Sequence, residues 1–103
     1  MEQIERITLM EKHLNEGAAA VRELGPALAR YQSAQEDLRS LSDYYGGGEW
    51  RRDLEDDEAG KLPADLRRGV LSEDAVYDLL AENRELLVQM LETACQAVAL
   101  NLR

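Results

Sequence analysis

Residues Ser72 to Leu100 read SEDAVYDLLAENRELLVQMLETACQAVAL, and their spacing decides the fold class. Val76, Leu80, Asn83, Leu87, Met90, Ala94 and Ala97 recur at alternating steps of four and three. Leu79, Leu86, Leu91 and Val98 widen the same stripe. Asp78, Glu82, Glu85, Gln89, Glu92 and Gln96 step likewise along the opposite face. A helix turns once in about 3.6 residues, so this pattern makes one apolar seam and one charged face. Ser72 suits the N-cap, because its hydroxyl can take a free amide of the first turn. Glu73 and Asp74 sit where the helix dipole favours negative charge. The spacing predicts a long helix over 72–103, with Leu80 and Leu87 in a core and Asp78, Glu82, Glu85 and Glu92 in solvent. Asn83 interrupts the stripe. It either fixes register in a buried seam or bonds the middle segment from the stripe's edge.

The other end carries the same signal. Ile4, Ile7, Met10, Leu14, Gly17, Val21, Leu24, Leu28, Tyr31, Leu38 and Leu41 recur at three- and four-residue steps, a near-heptad stripe over 1–41. Gly25-Pro26 falls inside it. Proline lacks a backbone donor and disfavours helical geometry at the residue before it. The expectation is a kink at Pro26 or two helices meeting at a corner, and the unbroken phase of the stripe favours the kink.

Residues 42–71 connect the two. Ser42-Asp43 and Gly46-Gly47-Gly48 end the first helix. A short helix fits Glu49 to Ala59, with Gly60 as its stop. A second short helical turn fits Ala64 to Arg68, with Pro63 at its first position. The whole chain reads as a single all-α domain, 1–103, built as a long antiparallel helical hairpin. At about 1.5 Å per residue the first helix spans roughly 60 Å and the last roughly 40 Å. The middle elements then cover the remaining step. Two stripes alone make a thin core for 103 residues, which favours a homodimer closing a four-helix bundle.

Composition narrows the function. With 45% apolar residues the chain can fold, although aromatics are only 5% and Phe is absent. A formal charge of −9 repels phosphate backbones and anionic lipid surfaces, so neither direct nucleic-acid binding nor membrane binding is expected. The N-terminal MEQIERITLMEKH carries charges where a signal peptide needs an apolar run. One cysteine, Cys95, cannot form an intramolecular disulfide. These features point to a reduced, cytoplasmic protein.

Several motifs in the middle carry a family resemblance: Asp43-Tyr44-Tyr45-Gly46, Glu49-Trp50, Asp57-Glu58 and above all GKLPADLRRGVLSEDAVYDLL from Gly60 to Leu80. They resemble a small bacterial family known only as domain-of-unknown-function family 4298, over roughly Ile4 to Leu91. The resemblance implies a short, acidic, mostly helical cytoplasmic protein and no activity. Gly25-Pro26 and the three consecutive glycines depart from the continuous helical pattern of that family.

No residue is assigned to catalysis, to a cofactor or to a metal. Glu2-x-x-Glu5 and Glu82-x-x-Glu85 have the spacing of Mg²⁺-binding pyrophosphatase helices, but Glu82 and Glu85 lie on the polar face. His13 with Glu16 is half of a di-iron motif that needs a second copy. Cys95 reads as a small packing residue. The specific candidates are Tyr44, Tyr45, Trp50, Arg51, Arg52, Arg67 and Arg68. The aromatics either cap the open end of the hairpin or anchor a protein partner, and capping is favoured. The arginines either grip an anionic group or neutralise local acids. The preferred function is a non-catalytic protein-interaction or regulatory module. The alternatives are a metal- or nucleotide-dependent hydrolase with acids converging across a dimer, and a mimic of nucleic-acid charge.

Overall fold

A computed structural model describes residues 1–101, and every regular element among them is helical. The order is α1 (Gln3–Ser33), α2 (Gln35–Gly46), α3 (Gly48–Glu58), a single 3₁₀ turn (Gly69–Leu71) and α4 (Glu73–Asn101). Residues 102 and 103 of the expected last helix lie outside the described residues. The chain divides into two units, Met1–Asp37 and Leu38–Arg103, and each is described by itself.

In the first unit the Glu2 carboxylate accepts the Ile4 amide at 2.5 Å and caps α1. Of the two expectations at Gly25-Pro26, a kink or a corner between two helices, the corner is ruled out, because α1 is continuous through both residues. Pro26 forfeits one backbone bond, but the clash its ring makes with the preceding side chain falls on a glycine, which has no Cβ. The interruption comes later, at Ala34. Its amide is shared between the carbonyls of Arg30 and Tyr31, both at 3.1 Å. The Gln35 side-chain amide donates to the Tyr31 carbonyl at 3.2 Å, the acceptor residue 35 would use in an unbroken helix. No residue of α1 is buried.

The second unit holds the core. α2 continues past Leu41 to Gly46, so the first two glycines split their roles. Gly46 is helical and Gly47 alone makes the turn. A Cβ on Gly47 would stand 3.2 Å from the Asp43 carbonyl oxygen, tighter than a side chain tolerates without some give. α3 then ends as expected at Gly60, whose φ of 73° is left-handed. The Gly60 amide bonds the Asp57 carbonyl and the Lys61 amide bonds the Asp56 carbonyl, both at 3.0 Å. That pair of bonds is a Schellman cap, and glycine is the residue that enters it without strain.

The short helix expected at 64–68 does not form. Residues 64 and 65 make a turn, closed by the Leu66 amide on the Pro63 carbonyl at 3.2 Å. Arg68 donates to the carbonyls of both Pro63 and Leu66, which occupies acceptors that a continuing helix would need. The 3₁₀ turn follows and delivers Ser72, whose Oγ accepts the Ala75 amide at 3.3 Å as the N-cap of α4.

Three apolar side chains are buried among the described residues: Trp50 on α3, Leu71 in the 3₁₀ turn and Val76 on α4. The 3₁₀ turn touches both α3 and α4 and joins them. This moves the core toward the start of α4. Leu80 is half-buried, and Leu87, expected inside, is 42% exposed. Asp78, Glu82, Glu85 and Glu92 are exposed, as their face required. Cys95 is exposed rather than packed. Among the described residues no helix is long and apolar enough to cross a membrane.

Replacing Trp50 by alanine should cost about 3–5 kcal/mol and melt the second unit, whereas Leu87→Ala should cost less than about 1 kcal/mol. Urea denaturation followed by circular dichroism ranks the two. The reverse order would place the core elsewhere.

Candidate interaction site

The expected site residues sit on α2, α3 and the loop before α4, and α3 sorts them by its own periodicity. Trp50, Asp53, Leu54 and Asp57 fall on one face, at helical steps of three and four. Trp50 is buried and the other three are half-buried. Arg51, Arg52, Glu55 and Glu58 fall on the remaining face and are exposed. Trp50, Asp53 and Asp57 each have a partner supplied by a different part of the unit.

Trp50 is 5% exposed. Its indole N–H donates to the Val70 carbonyl at 2.8 Å, reaching the 3₁₀ turn. Tyr45, near the end of α2, meets it edge to face, with ring centroids 4.8 Å apart at 65°. That arrangement suits the aromatic quadrupoles and adds about 0.5–1.5 kcal/mol to the burial. One side chain therefore clamps α2, α3 and the turn before α4. These contacts all lie among the second unit's own elements.

Tyr44 is half-buried and its hydroxyl donates to Asp53 at 2.5 Å. The hydrogen bond to Asp53 comes first among the causes that push its pKa up from 10.0 to about 12. Desolvation and the negative charges of Asp53 and Glu49 act in the same direction. A phenolate here would lose the bond and face a carboxylate.

Arg68 ties down the loop. Its guanidinium pairs with Asp57, and it also holds the Pro63 and Leu66 carbonyls. The Asp57 side chain is only 18% exposed, so this pair is far less screened than an ordinary surface pair. Lys61 and Asp56, at 3.9 Å with both side chains open to water, contribute little.

Of the seven candidates, then, the fold brings Tyr45 and Trp50 together and engages Tyr44 and Arg68 internally. Arg51, Arg52 and Arg67 are exposed and form no ion pair among the described residues. Asp53, Asp57 and the Val70 carbonyl are the partners that the sequence reading omits. The two acids had a signal, since they share the Trp50 face of α3. The carbonyl had none.

His13 lies exposed on α1. Among the described residues no group of three or more His, Cys, Asp or Glu side chains is placed to hold a metal ion. The apolar surface lies elsewhere. Ile4, Ile7, Met10, Leu14, Val21 and Leu24 on α1 are each more than half exposed.

Among the described residues the chain is all-helical, with a second unit organised around one buried tryptophan and a first unit whose helix carries exposed apolar side chains. The chain belongs to the family described as Domain of unknown function (DUF4298), whose model matches residues 7–93. No curated protein and no solved structure matches it.

Two outcomes follow from these bonds. Arg68→Ala leaves the Asp57 carboxylate without its cation and should cost about 1–3 kcal/mol, while Arg67→Ala should stay within about 0.5 kcal/mol. Chemical denaturation of both variants checks this. Tyr44 holds its proton more tightly in the folded chain than in the unfolded one. Its stabilisation is therefore complete below pH 10.0 and lost as pH rises through about 12. Tyr44→Phe should flatten that alkaline loss of stability, and the phenolate component titrating near pH 12 should vanish from the absorbance curve.

Proposed function

We propose that this chain is a non-catalytic, protein-binding helical module of the bacterial cytoplasm, in which the second unit is a folded support and α1 is the contact element. The observation that carries the reading is that α1 has no buried residue, although its apolar side chains keep a continuous helical phase. A contiguous apolar face of this kind on a water-exposed helix marks a binding surface. An amphipathic helix that lays such a face against another protein is a common mode of recognition. The acidic charge of −9 keeps the chain soluble and steers it away from nucleic acid and toward protein surfaces. Trp50, Tyr44, Tyr45 and Arg68 serve to hold the support together. Arg51, Arg52 and Arg67 stand free at its surface as secondary contacts.

The test is affinity capture from the native cytoplasm with three baits: wild type, Leu14→Glu/Leu24→Glu and Arg51→Glu/Arg52→Glu. Proteins bound through α1 should be retained by the wild type, lost from the first variant and kept or merely weakened with the second. Loss from the arginine variant alone would return the contact to the middle segment.

A further inference from the structure

We infer that α1 pairs antiparallel with α1 of a second copy of this chain. The inference rests on the reading of α1 as the contact element and names its occupant. From Ile7 to Tyr31 the stripe alternates steps of three and four without a slip, through positions 7, 10, 14, 17, 21, 24, 28 and 31. These are the a and d positions of a heptad repeat, the pattern that seats one helix against another like it.

The middle of the seam fixes the orientation. Gly17 stands at a d position in the interior of a helix, where glycine costs about 1 kcal/mol relative to alanine. A Cβ placed there would meet nothing within 4 Å, so packing within the chain gives no reason for it. A parallel pair would stack Gly17 on the partner's Gly17 and leave a hole, which a core does not tolerate well. The antiparallel pair sets Gly17 against the partner's Val21, Leu14 against the partner's Leu24, and Met10 against the partner's Leu28. The space at each Gly17 then faces a larger side chain, while Leu14, Leu24, Met10 and Leu28 form ordinary large-on-large layers.

The flanks agree. From Leu14 to Ala34 every e and g position is uncharged: Ala18, Ala20, Gly25, Ala27, Gln32 and Ala34. The carboxylate of Glu11, nearer the end, faces the partner's Gly25, so the antiparallel seam brings no like charges together. Chains of net charge −9 would otherwise repel, and the seam is where that repulsion is weakest.

The area is also sufficient. The exposed a and d side chains of α1 offer on the order of 700 Å² per copy, close to the ~800 Å² per partner of a standard interface.

Sedimentation of the full chain from low to high micromolar concentration tests the pairing. The expected species has twice the 11.6 kDa chain mass. Leu14→Glu/Leu24→Glu should weaken association by at least about tenfold while amide exchange in the second unit stays unchanged. Orientation is read in a Cys95→Ser background by mixing Leu14→Cys and Leu24→Cys chains. A mixed disulfide is expected, and predominant self-linking of Leu14→Cys would overturn the antiparallel seam. A wild-type chain that stays at 11.6 kDa throughout overturns the pairing itself. In that event, a captured protein that is still lost from the Leu14→Glu/Leu24→Glu bait would leave the binding role of α1 standing, so the two failures are distinct.

Discussion

The burial of one indole holds the second unit together. Trp50 has Tyr45 against one edge and the Val70 carbonyl on its nitrogen, and it shares the interior with Leu71 and Val76. An indole buries about 200 Å², worth several kcal/mol at about 25 cal/mol per Å². The polar nitrogen would cancel part of that gain if it were left unpaired, so the carbonyl of residue 70 is as necessary as the apolar contact. The 3₁₀ turn that presents this carbonyl also places Ser72 to cap α4. Core, turn and helix start are therefore one arrangement, and a change in any of them reaches the other two.

Around that centre the polar residues act as ties. Asp53 and Asp57 share the inner face of α3 with Trp50, and each meets a donor from outside the helix, Tyr44 and Arg68. The acidic charge of the chain hides this arrangement, because most of its acids are solvated and these two are structural. Arg68 does a further job. By donating to two loop carbonyls it ties down the irregular segment that leads into the 3₁₀ turn.

How far the sequence was legible depends on the kind of signal each residue gives. Ser72 and Gly60 declared the start of α4 and the end of α3, because capping chemistry is local and both residues act on their own neighbours. Tyr45 and Trp50 were legible as a pair, being near in sequence and scarce. The continuity of α1 through Pro26 turned on Gly25, a residue usually read as a breaker, here removing the side chain proline would strike. Leu87 was misplaced for a different reason. A stripe shows that a face needs cover, but not that the same chain supplies it. The loop at 61–68 was least legible, since Arg68 binds backbone carbonyls, which every residue possesses and no sequence marks.

The single tryptophan has a practical consequence. It is the only indole in the chain, it lies in the second unit, and it is shielded from water. Its emission reports on the surroundings of Trp50 in that unit, whereas far-ultraviolet dichroism sums the helices of both units. The two optical signals thus weigh the two units differently. A melting curve recorded by both would show directly whether the helix and its support come apart in one transition or in two.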